Sequence, residues 1–244
     1  MKKRKLLFFI TEDWYFCSHR LSLALAAKKV GFNVSVVTHV RSHGEQIRTA
    51  GMKLIPLELS RRSINPLKEL QLINRLASIY RAEQPDIVHH VALKPVLYGS
   101  IATCIAKVPF IVNAMAGLGY LFCSRSFKAR SVRPFVMLLF RFLLNSQRSR
   151  VILQNPDDVR LLCDSGVLKK DRITLIRGSG VDIMEFTVKP EPDGAPLVIL
   201  ASRLLWDKGV GEYVDAARQL KQQGVSARFA LVGERDTENP SSKY

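Results

Sequence analysis

The sequence predicts an α/β fold built on a mostly parallel, doubly wound sheet with helices on both faces. Three observations carry this. Short apolar, β-branched runs alternate with longer segments whose apolar residues recur at helical spacing. The junctions hold helix start and stop residues where they satisfy orphan backbone groups. A proline-rich stretch, Val188 to Pro196, then separates a first domain, 1–187, from a second α/β start at 197–244. An apolar content of 47% says that the chain buries a core and excludes a disordered one.

Leu6 to Ile10 reads as the first strand. Lys2 to Lys5 before it mimic a signal peptide, but five apolar residues are too few for its hydrophobic region, so a cytosolic chain is expected. Thr11 to Cys17 reads as a loop without Gly-x-Gly-x-x-Gly, which argues against a dinucleotide fingerprint. Ser18 to Val30 is a helix with Ser18 as N-cap and Gly31 as its stop, and Val34 to Val37 is the next strand. A short helix around Glu45 to Ala50 and a strand, Lys53 to Leu57, follow. Asn65-Pro66 opens a long helix to about Glu83.

Ile87 to Val91 is a strand with His89 and His90 near its carboxyl end, and Pro95 to Ala106 a helix. Phe110 to Val112 is a strand, leading to a loop, Asn113 to Gly119, that holds Gly117 and Gly119. Val151 to Leu153 and Ile173 to Ile176 are the last strands of the first domain. Between them Asn155-Pro156-Asp157-Asp158 starts a helix, with two acids set against its dipole.

The net charge is +16, and the excess lies in the first 196 residues, which carry 30 Lys and Arg against 15 Asp and Glu. An anionic partner is expected there: membrane, nucleic acid or a phosphorylated substrate. Ser124 to Arg150 concentrates the effect, with seven basic residues, among them Arg125, Lys128, Arg130, Arg133 and Arg141, and no acid. Its apolar centre, Phe135 to Leu144, is too short to span a bilayer. It reads either as a helix lying on an anionic membrane surface or as one packed on the sheet with solvated charges. The cluster lacks interleaved aromatics suited to base stacking and no recognised module motif is visible, so nucleic acid is not expected. Cys17, Cys104, Cys123 and Cys163 have neither disulfide nor metal spacing, and no metal site is expected.

After the linker, Leu197 to Leu200 is a strand and Val210 to Gln223 a helix, joined by a loop that carries Arg203 and Lys208. A cation pair between a strand's carboxyl end and a helix N-terminus suggests a phosphate site. One further strand, Ala227 to Val232, completes a single βαβ unit, too little to cover its own apolar faces, so this domain is expected to be incomplete.

Arg177-Gly178-Ser179-Gly180-Val181-Asp182 resembles the Gly-Val-Asp signature of family 4 retaining glycosyltransferases. Ser202-Arg203-Leu204 with Asp207-Lys208-Gly209 resembles their donor-phosphate loop. With Asp86-Ile87-Val88-His89-His90 and Ala116-Gly117-Leu118-Gly119-Tyr120, the resemblance spans nearly the whole chain. It implies a GT-B fold, two Rossmann-like domains facing a cleft. The implied activity is transfer of a sugar from a nucleotide-sugar, with a UDP-sugar the expected donor and neither metal nor cofactor. A lipid-linked or envelope-glycan acceptor is expected, with the protein peripheral on the inner face of the membrane.

In that resemblance Arg203 and Lys208 hold the donor diphosphate. The cleft is lined by Trp14 and His19 of the first loop, by His89, His90 and Lys94, and by the glycines Gly117, Gly119 and Gly180. The family's histidine before Gly-Leu-Gly is Ala116 here, so no catalytic residue is assigned. Its glutamate pair would lie beyond residue 244, so weak donor binding and little turnover are expected of this chain. The alternative is a non-catalytic module that binds anionic glycolipid or nucleic acid.

Overall fold

The structure, a computed structural model, describes residues 3–59, 65–118, 127–184 and 186–234. The chain divides into two units, Met1–Gly180 and Val181–Tyr244.

The first unit runs β1 (Lys5–Glu12), α1 (Asp13–His19), α2 (Leu21–Lys29), β2 (Asn33–His39), α3 (Gly44–Thr49) and β3 (Lys53–Pro56). It continues with α4 (Pro66–Glu83), β4 (Ile87–Val91), α5 (Leu93–Ala106), β5 (Phe110–Met115), α6 (Phe127–Leu143), β6 (Ser149–Leu153), α7 (Pro156–Asp164) and β7 (Ile173–Leu175). The strands form one seven-stranded sheet in the order β3-β2-β1-β4-β5-β6-β7, and every pairing is parallel. The winding direction reverses between β1 and β4, where ligands collect in open α/β sheets.

Register decides which residues meet. Phe8 lies opposite His89 and Phe9 opposite His90, so the neighbouring histidines face opposite sides of the sheet. Phe8, Ile10, Val91 and Ala114 pack with Phe16, Ala24 and Ile47 of α1 to α3. Leu7, Phe9 and Val88 pack with Leu76, Ala77 and Tyr80 of α4 on the other side, and Met115, Val151 and Leu153 with Phe140 and Leu162. Each Val, Leu, Ile, Phe or Met among them, fully buried, contributes about 1.5–3 kcal/mol.

The two Asn-Pro starts fold as their chemistry dictates. Asn65 Oδ1 accepts the Leu67 N–H at 3.0 Å, and Asn155 Oδ1 accepts that of Asp158 at 2.7 Å. Two expectations are corrected. Residues 13–19 are helical, not a loop, and Ser18 is no N-cap: its hydroxyl donates to Trp14 O, 2.9 Å away, inside α1. The helix breaks at Arg20 (φ −132°, ψ −10°) and restarts as α2. The turn into α1 is held instead by Asp13, wholly buried, whose carboxylate accepts the backbone N–H groups of Trp14, Arg41 and His43, each at 2.8 Å. Burial works against its ionisation, but those three donors outweigh it and hold the carboxyl below its usual pKa.

β5 also runs to Met115, past the Val112 end that the sequence implies. Asn113 looks like a turn residue but is buried in the strand. Its Oδ1 lies 2.7 Å from His90 Nδ1 and accepts from Ser100 Oγ, while Nδ2 donates to Ser149 Oγ at 3.1 Å.

The second unit holds β8 (Leu197–Ala201), α8 (Val210–Gln222) and β9 (Arg228–Val232), with the strands parallel. Tyr213 of α8 ties the pair together. Its hydroxyl donates to Val198 O at 2.8 Å and accepts the Ala230 N–H at 3.0 Å.

Candidate functional site

On the α1–α3 face of the first unit's sheet lies a cavity of about 220 Å³ whose polar walls are His19, Arg20, Ser22, His89, Gln154 and Ser179. They come from the α1–α2 corner, from β4, from the end of β6 and from the segment after β7. Four stretches distant in sequence thus converge near the strands' carboxyl ends.

Arg20 is 8% exposed. Its Nη1 donates to His19 O at 2.8 Å and to Ser179 Oγ at 2.9 Å, and its Nε has no partner among the described residues. Burial lowers its pKa, but guanidinium stays cationic in proteins. His89 is 7% exposed and stacks on Phe8, with ring centroids 5.1 Å apart. Burial, then the positive charges of Arg20 and His90, push its pKa down to about 3, so it is neutral near pH 7. His89 Nε2 is a second buried polar atom without a partner among the described residues. His19 stacks on Tyr15 at 4.2 Å, and burial followed by the Arg20 charge lowers its pKa.

Of the residues that the sequence singles out, His19 and His89 line this cavity. His90 does not. It is fully buried on the opposite face, between Tyr80 Oη at 3.0 Å and Asn113, and burial takes its pKa down to about 4. The sequence reading places it in a cleft because the face that a strand residue takes is not fixed without the register. Lys94, on α5, is engaged by Glu69 at 3.0 Å and lies over the Tyr98 ring, away from the cavity. Trp14 packs edge-on against Tyr15 and is not among the lining residues. Gly117 and Gly180 take backbone angles that favour glycine (φ +133° and +71°), and Gly180 directly follows Ser179. Gly119 and Arg125 lie outside the described residues, as does the Lys128 side chain.

Arg20 and Ser179 are the residues that sequence reasoning misses as site residues. A continuous 18–30 helix leaves Arg20 as one more helical cation; the break at this residue is what removes it from the helix register.

In the second unit Arg203 and Lys208 are both exposed, in the connection from β8 to α8. That connection is anchored by the buried Leu205 and Val210, and the Leu204 N–H donates to Glu234 O at 3.1 Å. Two cations held between a strand's end and a 13-residue helix can receive an anion.

On α6, Val136 and Phe140 are buried against the sheet, while Val132, Phe135, Leu138 and Phe142 are exposed along the outer side. Arg130 and Arg141 are exposed and Arg133 half-exposed. No described helix is long and apolar enough to cross a membrane. Among the described residues no group of three or more His, Cys, Asp or Glu could hold a metal ion. Cys17, Cys104 and Cys163 are free, and burial, with the Asp13 charge, pushes the Cys17 thiol up to about 11, far from a nucleophile's range.

A seven-stranded parallel sheet followed by a βαβ unit with a strand-end cation pair is the plan of a GT-B protein, and the chain belongs to the glycosyl transferase 4-like family, whose model matches residues 5–155. It is 30% identical over 235 residues to the N,N'-diacetylbacillosaminyl-diphospho-undecaprenol alpha-1,3-N-acetylgalactosaminyltransferase of Campylobacter jejuni. That alignment covers 91% of this chain and 61% of the relative, so the chain spans less than two thirds of the relative's length. The fold is shared with Anabaena HepE, solved with UDP and glucose, at a TM-score of 0.65 and 16% identity over 95% of this chain and 70% of that one. A glycosyltransferase of Rickettsia africae gives 0.62 at 12% identity over 98% and 70%.

Proposed function

We propose that this chain serves a glycosyltransferase that moves a sugar, with retention of configuration, from a nucleotide-sugar to a lipid-linked acceptor. One observation carries the reading: the 30% identity to a Campylobacter enzyme whose name specifies both an N-acetylhexosamine and an undecaprenol-diphosphate acceptor. The donor is a UDP-sugar, and the second unit supplies its phosphate contacts. Negative charge grows on the departing diphosphate in the transition state, and the cations Arg203 and Lys208 stabilise it. The reaction needs no metal or cofactor.

The acceptor would be met at a membrane. The exposed stripe of α6, with arginines beside it, suits an in-plane helix on an anionic leaflet, where each basic residue is worth about 1 kcal/mol. The protein is then peripheral on the inner face of the membrane, and nucleic acid is no partner.

Single-turnover conditions test the reaction even if turnover is slow. The chain, in excess over radiolabelled UDP-N-acetylhexosamine, is given a short-chain polyprenyl-diphosphate sugar. Label on the lipid-linked product supports the reading. Label that stays on the nucleotide while the acceptor is bound overturns it and leaves a glycolipid-binding module.

A further inference from the structure

The loop that carries Arg203 leaves β8 alongside the end of β9. The Ser202 N–H donates to Val232 O at 3.0 Å and the Leu204 N–H to Glu234 O at 3.1 Å. Arg203 thus stands between two bonds to the residues that flank Gly233. Its carbonyl accepts the Leu205 N–H at 2.8 Å, and Leu205 is wholly buried. The backbone is tied on both sides of Arg203, and with it the point from which the guanidinium side chain starts.

Gly233 closes the remaining side. Its φ of +149° favours glycine. A Cβ there would overlap Ser202 O, lie 2.8 Å from the Ser202 carbonyl carbon and come within 3.5 Å of Arg203 N. The obstacle is a peptide group, not a side-chain tip that can turn aside. A methyl group at 233 therefore drives the Ser202–Arg203 peptide off β9 and strains the bonds at Ser202 and Leu204. Lys208 is held otherwise: its N–H donates to Leu205 O at 3.1 Å, within the turn Trp206–Lys208. Gly224, between α8 and β9, also has a positive φ, +73°, but nothing lies within 4 Å of its Cβ position. Glycine at 224 answers to the backbone angle alone, whereas at 233 it also answers to contact.

We infer that Gly233 is a positioning residue for the donor's phosphates: by letting the Ser202–Arg203 peptide seat against β9, it sets where the Arg203 guanidinium can reach. This rests on the reading of Arg203 as a phosphate contact, while the close approach of the two backbones rests on geometry alone. A cation carried on a displaced peptide loses the distance and angle that a charge-assisted hydrogen bond needs.

The test is calorimetric titration of the 244-residue chain with UDP. Gly233→Ala should weaken UDP about tenfold, as far as Arg203→Ala does, and Gly224→Ala should leave the affinity unchanged. Adding Arg203→Ala to Gly233→Ala should cost nothing more, because the guanidinium has already left its place. Adding Lys208→Ala should still cost its full factor. A merely structural loss would take the Lys208 contribution with it. Additive losses for Gly233→Ala and Arg203→Ala overturn the positioning role, as does wild-type affinity in Gly233→Ala. Wild-type affinity in Arg203→Ala removes the phosphate reading instead. Amide hydrogen exchange without nucleotide reads the seat by itself: Ser202 and Leu204 should exchange faster in Gly233→Ala but not in Gly224→Ala. Unchanged exchange overturns the seat even if the chain binds no UDP. Should Gly233→Ala fail to fold, the free wild-type chain carries the test, and exchange at Ser202 and Leu204 as fast as at the exposed Glu191 overturns it.

Discussion

Gly99 of α5 lies flat against the His90 imidazole, so that a Cβ at Gly99 would collide with Nε2, Cδ2 and Cε1 at once. The ring cannot give way, because Tyr80 and Asn113 hold it from both ends. Helix α5 reaches this close to the sheet only because residue 99 has no side chain. Gly99→Ala gains up to about 1 kcal/mol of helix propensity and loses about 1–3 kcal/mol to overpacking. A lower urea midpoint is expected, and an unchanged or higher one would show that the ring can move.

The two buried histidines make stability depend on pH. Both have folded pKa values below the ordinary 6.5, about 3 for His89 and about 4 for His90. Between pH 6.5 and 4 the unfolded chain therefore binds protons that the folded chain refuses. Stability is full above about pH 6.5 and falls as pH drops, by about 1 kcal/mol per pH unit for each histidine. The groups facing them are Arg20 and Phe8 for His89, and Tyr80 and Asn113 for His90, with no carboxylate among them. Urea midpoints at pH 7 and pH 5.5, above most carboxylate titrations, should differ in that direction. His90→Gln should roughly halve the difference, and equal slopes would refute the assignment.

Asp13 ties two loops to one carboxylate. Asp13→Asn replaces one acceptor oxygen by a donor facing N–H groups, and Asp13→Ala orphans three of them. Hydrogen bonds to a charged group are each worth about 1.5–3 kcal/mol. A loss of at least about 3 kcal/mol is expected for Asp13→Ala, read by chemical unfolding; under 1 kcal/mol would mean that water replaces the carboxylate.

The donor loop can be read by UDP binding. Arg203→Ala and Lys208→Ala should each weaken UDP at least tenfold, with the weakening reduced at high salt because both side chains are exposed. Near-equal affinities for both variants and the wild type would remove the phosphate role.

Flotation with vesicles tests α6. Binding to anionic vesicles should drop about 30-fold on replacing Arg130 and Arg141 together by Gln, equivalent to about 2 kcal/mol. Phe135→Ser with Phe142→Ser should weaken it without changing its salt dependence. Equal binding to neutral vesicles would contradict an electrostatic surface.

What was legible in the sequence is what local chemistry decides. Asn65-Pro66 and Asn155-Pro156 start helices because cap and first turn lie within four residues of each other. The strands Ile87 to Val91 and Leu197 onward declare themselves by composition, and Arg203 and Lys208 by position between a strand and a helix. What stayed hidden depends on partners far away in the chain. Asn113 reads as a turn until Ser149 and His90 surround it. His89 and His90 look equivalent until pairing with Phe8 and Phe9 sends them to opposite faces. Arg20 looks like any helical cation until the break beside it turns the side chain toward Ser179.

The strand order has a consequence for the chain as it is being made. Of the strands of this sheet β1 is made before the others but takes an interior place, and its second neighbour, β4, begins only at Ile87. At roughly 5–20 residues per second, the second edge of β1 waits for several seconds after β2 has emerged. The contact from Arg20 to Ser179 spans 159 residues, so it closes on the order of 10–30 seconds after Arg20 is added. A nascent chain paused before Ser179 therefore lacks the Arg20 contact, and the segment that follows β7, the sheet's final strand, is the one that supplies it.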